Sequence, residues 1–313
     1  MPNMRRFVKG VDEPVWVEVL NASRKEREDW RAITVEELLL EEKGDPSFDF
    51  EGRFIAELDG RPVAVMHANV DKLRKDGKGF IRFGVIPEFR GSGIEQQLLE
   101  IALMELKARG MTTAQAWVDS RERDYIQPLE GLGFKHVRVG SLMEVDLANV
   151  SQNIGENKQV AIRALQKGQE EDIKLFHWLS NETFKEHFNF RPDTLEEIRH
   201  FLFSDPFLKE QDIFFAVLDG ESIGYVGVGI DEKYNLEKNV KAGEISTIGV
   251  LQTYRRTGIG ARLMLHGLET LKARGMTKAL LGVDDYNPTK AIELYEKVGF
   301  RPKKKDFIFE REL

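Results

Sequence analysis

The chain has 313 residues, enough for roughly two domains of ordinary size, and its 41% hydrophobic and 32% charged content, with only 27 Gly and 10 Pro, describes a folded globular chain rather than a disordered or fibrous one. A formal charge of −7 offers no counterion-release drive toward polyanions, which argues against nucleic acid as a partner and leaves cationic or neutral small molecules. With no cysteine there is no disulfide, thiolate metal site or cysteine nucleophile.

Met1 to Gly10 is too polar for a signal peptide, and no apolar run approaches the ~18 residues of a membrane span, so the chain reads as cytoplasmic with no membrane partner. Further along, Lys107-Ala108-Arg109-Gly110-Met111-Thr112 recurs as Lys272-Ala273-Arg274-Gly275-Met276-Thr277, an offset of 165 residues. At the same offset Phe89-Arg90-Gly91-Ser92-Gly93-Ile94 answers Tyr254-Arg255-Arg256-Thr257-Gly258-Ile259, and Trp117-Val118-Asp119 answers Gly282-Val283-Asp284. Gly131-Leu132-Gly133-Phe134 then matches Lys297-Val298-Gly299-Phe300, with one residue inserted. So long a period marks two copies of a whole domain, 1–150 and 151–313. The expected join is Asn149 to Lys158, short of apolar residues and rich in Asn and Gly.

In the second copy Val160 to Leu165 alternates like a strand, and Glu170 to Ser180 and Thr194 to Phe203 carry helical spacing, the latter opened by Asp193 or Thr194. Strands Ile213 to Leu218 and Ile223 to Ile230 are joined by Asp219-Gly220, a dipeptide suited to a tight hairpin. Glu244 to Val250 is the next strand, followed by a glycine-containing turn and an amphipathic helix from Gly260 to Ala273 closed by Gly275. A strand over Ala279 to Val283, a helix opened by Asn287-Pro288, and a final strand through Phe307 to Arg311 complete the copy. An antiparallel start followed by a β-α-β crossover predicts a mixed α/β fold, with helices on both faces of the sheet.

Arg255-Arg256-Thr257-Gly258-Ile259-Gly260 falls where a strand turns into a helix. Glycines there let backbone approach a ligand closely, and the unpaired N–H groups of the first helical turn favour a diphosphate. Together with Asn287 and Ala291-Ile292-Glu293-Leu294-Tyr295-Glu296-Lys297-Val298-Gly299-Phe300, this turn resembles the GCN5-related N-acetyltransferase (GNAT) superfamily. That family's signature is Arg/Gln-x-x-Gly-x-Gly/Ala between the fourth strand and third helix, followed by an Asn…Ala-x-x-Leu-Tyr-x-x-x-Gly-Phe block. Asn287 lies one residue farther from Tyr295 than the family pattern has it. The resemblance implies two tandem domains, each a mostly antiparallel sheet of about six to seven strands.

It also implies acetyl-CoA as cosubstrate, no metal, and direct transfer to an amine of a small molecule or peptide, without a covalent enzyme intermediate. The backbone of Ile248 and Val250 would hold the thioester carbonyl and the pantetheine arm, and N–H groups from Arg256 through Thr257, Gly258, Ile259 and Gly260 to Ala261 would hold the diphosphate, with Arg255 and Asn287 completing the coenzyme set. Glu244 stands where the histone-acetyltransferase branch places a glutamate base. Unbroken alternation would put Glu244, Ser246, Ile248 and Val250 on one side of the strand; a solvated acid at a strand start is the plain alternative. Tyr295, whose phenol is protonated at neutral pH, is the candidate acid for the leaving thiolate, or else a core residue.

The first copy departs from this pattern. Glu95 stands where Gly260 does, Gly79 replaces Glu244 at constant offset, and Leu129 replaces Tyr295 when the Gly-Phe ends are superimposed. These losses predict a structural or substrate-shaping first domain and a catalytic second one. The loop Phe184-Lys185-Glu186-His187-Phe188-Asn189-Phe190 is the expected acceptor wall, with Phe184, His187 and Phe190 as candidate contacts or as simple packing. Lys303-Lys304-Lys305 reads as a hairpin tip between the last two strands, and the scattered histidines suggest no metal site. Two other functions fit the residues: a coenzyme-binding regulatory or scaffold protein, and acetylation of an amino-sugar thiol, since the two-lobed layout resembles mycothiol synthase.

Overall fold

Each half of the chain begins with a short strand and two helices, of which the second carries a side-chain cap. The computed structural model describes residues 2–208 and 211–313. In the first half β1 (Asn3–Arg6) leads to α1 (Glu13–Arg24) and α2 (Val35–Gly44), then to β2 (Arg53–Leu58), β3 (Arg61–Asn69), β4 (Lys78–Val85), α3 (Ile94–Ala108), β5 (Thr113–Asp119), α4 (Arg123–Gly131) and β6 (Lys135–Asp146). The second half repeats the order: β7 (Ala161–Ala164), α5 (Glu170–Phe184), α6 (Leu195–Phe203), β8 (Asp212–Leu218), β9 (Glu221–Gly229), α7 (Glu232–Lys238), β10 (Ala242–Val250), α8 (Ile259–Ala273), β11 (Lys278–Asp284), α9 (Ala291–Val298) and β12 (Arg301–Glu312). Within the second half α7, capped by Asp231 on the Tyr234 N–H at 2.8 Å, goes unannounced by the sequence pattern.

The duplication reaches further than the sequence motifs. Thr34 and Thr194 each close a capping box with a glutamate three residues on, Glu37 and Glu197, satisfying two otherwise orphaned N–H groups. Arg31 pairs with Glu37 as Arg191 pairs with Glu197. Asn21 clasps the backbone of Ile33 as Asn181 clasps that of Asp193. These pairs are 160 residues apart, so the loops between the second helix and the glycine turn differ by five residues between copies.

The chain divides into two compact units, Met1–Val139 with Lys305–Leu313, and Gly140–Lys304. This differs from a single cut between 150 and 151. Within the first unit the strand order is β1-β2-β3-β4-β5, with Asp306–Glu312 of β12 beside β5, all antiparallel except β4 with β5. In the second, residues Gly140–Asp146 of β6 lie beside β11, followed by β10, β9, β8 and β7, antiparallel except β10 with β11. Each sheet therefore takes its sixth strand from the end of a long strand that starts in the other unit, which covers edges that β5 and β11 would otherwise leave unpaired. Lys303-Lys304-Lys305 consequently lies inside one continuous strand rather than at a hairpin tip, with Lys303 Nζ donating to Glu144 at 2.8 Å. The 149–158 segment is no free linker either: Ser151 N donates to Val298 O at 2.9 Å and Asn157 N to Gly258 O at 3.1 Å.

Alternation along β8 and β9 places helices on both faces of the second sheet. Leu263, Leu268 and Val298 pack on Val226, Val228 and Ile245; Phe176, Leu179 and Leu202 pack on Ile213, Phe215 and Tyr225. A chain ended at Lys304 should lose amide protection in β5 while α8 and β9 stay protected, because Phe309, 1% exposed in the first core, leaves with the strand. Removing such a buried ring costs about 3–5 kcal/mol. Hydrogen exchange resolved by mass spectrometry checks this.

Candidate active site

Strands β10 and β11 run parallel but pair only from Ala242 to Glu244. Beyond Glu244 no further pair joins them among the described residues, so the β10 edge from Ile245 to Val250 is open toward β11. At the point of divergence β10 also carries a bulge: its register on β9 shifts between Ile245 and Thr247, leaving Ser246 as the extra residue. The bulge overturns the expected alternation. Glu244, Thr247 and Gly249 lie opposite Gly229, Gly227 and Tyr225 on one face, whereas Ile245, Ile248 and Val250 lie opposite Val228, Val226 and Gly224 on the other. One inserted residue reverses every side chain after it, so Glu244 does not share a face with Ile248 and Val250.

Glu244 is half-buried, and no hydrogen bond or ion pair holds its carboxylate among the described residues. Burial, then the negative charges of Asp205 and Asp231, pushes its carboxyl up to about 7. On the same face Tyr225 is fully buried, its hydroxyl 3.3 Å from Thr183 Oγ1 and accepting from Thr247 Oγ1 at 3.4 Å. This hydroxyl cluster escapes sequence reasoning, because a Tyr in an apolar strand looks like core and its partners come from α5 and β10.

The glycine turn after β10 is shaped by Arg256 and Gly258, at φ 65° and 83°. The α8 N-terminus has no side-chain cap, so its first N–H groups are left for a ligand. Gly258 is bound to stay glycine: a Cβ there would come within 2.5 Å of Gly155 O. Arg255 serves the turn as a strut, its Nε donating to Val250 O at 3.1 Å, Nη1 to Glu186 at 2.7 Å and Nη2 to Thr183 O at 3.2 Å. Arg90 makes the matching bonds to Val85 O and Ser23 O in the first unit, which marks this arginine as part of the fold in both copies.

In the first unit the corresponding places are filled from within. Glu95, 1% exposed, accepts from the Gly91 N–H at 3.1 Å, so a carboxylate sits on the turn where the second copy has Gly260. The Tyr125 hydroxyl accepts from the Val85 N–H at 3.0 Å; Val85 is the counterpart of Val250, while Ala291 stands in place of Tyr125 in α9. Strand β4 has no bulge against β3. Gly79 therefore matches Gly243, each facing a leucine of the long helix (Leu106, Leu271), and the residue standing in for Glu244 is Phe80, not Gly79 as constant offset implies.

Tyr295 is buried with its ring against Phe300, at 6.1 Å between centroids, and burial followed by the nearby Tyr225 raises its phenol well above the usual range. Asn287 does not open α9: its Oδ1 accepts from the Thr289 N–H at 2.8 Å and the Thr289 hydroxyl at 2.6 Å, closing a turn that delays the helix to Ala291. Phe184 and His187 pack ring to ring at 4.3 Å, and Phe190 N donates to His187 O at 3.1 Å. Burial and the positive Arg255 lower the His187 pKa.

A model of the acetyltransferase (GNAT) family matches residues 16–134 and again 173–300. The chain belongs to this family. Among curated GNAT relatives, mycothiol acetyltransferase of Streptomyces coelicolor is 30% identical over 132 residues, 42% of each chain, so the match spans under half the length of that relative. The enzyme of the same name from Acidothermus cellulolyticus is 28% identical over 261 residues, 81% of this chain and 77% of that one. Among solved structures, a GCN5-related N-acetyltransferase from Sphaerobacter thermophilus superimposes with a TM-score of 0.72 at 21% identity over 99% of this chain and 95% of that one. A tandem GNAT protein from the clavulanic acid biosynthesis pathway gives 0.76 at 14% over 100% and 98%. Both share the fold.

The GNAT fold implies acetyl-CoA as cosubstrate. Both units have a long helix that starts without a side-chain cap and a parallel strand pair that separates before the turn; they differ in that the second has the small Gly260 and Ala291 where, in the first, Glu95 and Tyr125 accept from the Gly91 and Val85 N–H groups. Among the described residues no helix is long and apolar enough to cross a membrane, and no group of three or more acidic or histidine side chains is placed to hold a metal.

Proposed function

We propose that the chain is an acetyl-CoA-dependent N-acyltransferase that carries an acetyl group to a primary amine of a small molecule or peptide, with its chemistry in residues 140–304. The observation that carries this reading is Glu244, a half-buried carboxylate with a pKa near 7 at the divergence of β10 and β11. A base of that strength takes a proton efficiently at neutral pH. Coenzyme A, when bound, supplies the activated acetyl thioester. Arg256 to Ala261 hold its diphosphate through backbone N–H groups, and Ile248 and Val250 hold its arm along the open strand edge. Glu244 removes the proton that an acceptor ammonium must lose before its nitrogen can attack. Tyr295, kept protonated by burial, holds a proton on its hydroxyl for the departing sulfur. Phe184, His187 and Phe190 flank the acceptor.

Similarity to the mycothiol acetyltransferases supports a second acceptor, the amine of an amino-sugar thiol. Coenzyme release measured against a panel of amines including amino-sugar thiols tests both. One coenzyme per chain with release on some amine is expected; binding without release on any of them would refute the transferase and favour a regulatory coenzyme-binding protein. Tyr295→Phe should lower kcat by roughly 10- to 100-fold with coenzyme affinity and Tm unchanged, since among the described residues no hydrogen bond to that hydroxyl is lost. Unaltered kcat would remove the phenol from the mechanism.

A further inference from the structure

The first unit has a cavity of its own. It encloses about 60 Å³ between the end of α1, β4, β5 and the start of α4, room for roughly four to six waters or one small anionic group. Three guanidiniums, Arg24, Arg27 and Arg82, line it against a single carboxylate, Glu122. Arg27 is committed, pairing with Asp29 at 3.1 Å and lying 3.8 Å from Glu122. Arg24 and Arg82 are not. Half-buried Arg24 stacks over Trp30 at 4.5 Å and has no carboxylate partner among the described residues, and exposed Arg82 on β4 has none either. Burial and repulsion from Arg27 and Arg82 lower the Arg24 pKa to about 10 against the opposing pull of Glu122, the sign expected where cations outnumber the counter-charge. At the mouth Trp117 is 54% exposed, its ring held by Nε1 donating to Gln115 at 2.8 Å.

The second unit serves as an internal control. At the positions matching Arg24, Arg27 and Trp30 it has Phe184, His187 and Phe190, and at those matching Arg82 and Trp117 it has Thr247 and Gly282. The fold is thus built equally well without the arginines, so their convergence is not demanded by packing. Two unpaired guanidiniums suit a doubly charged phosphate monoester, which arginine forks grip bidentately, and an exposed indole beside them suits a flat ring.

We propose that the first unit binds a phosphate monoester carried on a ring-bearing small molecule, gripped by Arg24 and Arg82 with the ring against Trp117. The old cleft is then a ligand site distinct from the acyl-transfer site, and this reading stands whether or not the second unit transfers acetyl groups. The test is calorimetry on the full chain with phenyl phosphate as the probe, and phenol and inorganic phosphate as controls. Phenyl phosphate should bind with submillimolar affinity that weakens with salt, inorganic phosphate should bind at least ~5-fold less tightly and phenol not at all. Arg82→Gln, an exposed change that breaks no bond, and Arg24→Gln should each cost about 10-fold or more. Gly260→Glu, in the other unit, should leave binding intact. No binding at about 10 mM, affinity unmoved by both arginine variants, or loss on Gly260→Glu would each overturn the proposal.

Discussion

Glu244→Gln should lower kcat/KM at neutral pH by roughly 100-fold or more, the usual scale for a general base, while making the protein more stable. The two effects share one origin. The Glu244 carboxyl titrates at 4.5 in the unfolded chain and near 7 in the fold, because burial beside Asp205 and Asp231 penalises its charge. Folding therefore takes up a proton between those pH values. The acid costs nothing while it is protonated in both states, and as pH rises from 4.5 through 7 the fold loses stability, up to about 3 kcal/mol and nearer 2 after solvent screening. Glutamine, neutral throughout, recovers that amount at about pH 8 and none at about pH 4. Wild-type kcat/KM should in turn rise with pH through about 7 as the base ionises, and the variant should lack that limb. Denaturant melts at both pH values and a pH–rate profile check this; a variant of unchanged rate, or one destabilised at about pH 8, would show that Glu244 has a structural role only.

Gly260→Glu should reduce acetyl-CoA affinity by about 100-fold, near 3 kcal/mol, by copying Glu95 into the second unit. A Cβ at Gly260 meets nothing closer than Leu294 at 3.4 Å and Val250 at 3.9 Å, so the side chain is accommodated. Its carboxylate can then accept from the Arg256 N–H as Glu95 accepts from Gly91, taking the donors the diphosphate needs and setting a like charge beside it. Gly260→Ala should bind almost normally, which separates charge from volume. Titration calorimetry of both variants decides the matter: unchanged affinity in Gly260→Glu would place the coenzyme outside this turn. Because Tyr125 also holds Val85 in the first unit, Glu95→Gly alone should not open a second coenzyme site there.

Much of this was readable in one dimension. The repeat, the helix and strand order, the Gly-rich turn and the fold class all rest on local signals: periodicity, caps and turn residues that act within a few positions of themselves. The turn is legible from its glycines at a strand-to-helix junction, whereas Glu244 stands out as a candidate base only through the resemblance to the histone-acetyltransferase branch. Other features were illegible for a physical reason. The bulge at Ser246 is a property of β10 paired with β9, and only that pairing shows that Phe80 rather than Gly79 matches Glu244 and that Glu244 faces away from Ile248. Asn287 offers the same cap chemistry to a turn as to a helix, and the contest went to Thr289.

The amino-acid sequence by itself determined that this chain is a duplicated α/β protein of the acetyltransferase family whose second copy keeps both glycines of the turn, Gly258 and Gly260. Tertiary structure alone decided which strand ends complete which sheet, that Glu95 and Tyr125 take up backbone N–H groups at the turn and strand end of the first copy, and that Arg24 and Arg82 converge on one cavity. Those outcomes depend on edges seeking partners and charges meeting across elements far apart in the chain, and neither leaves a periodic trace in the order of residues.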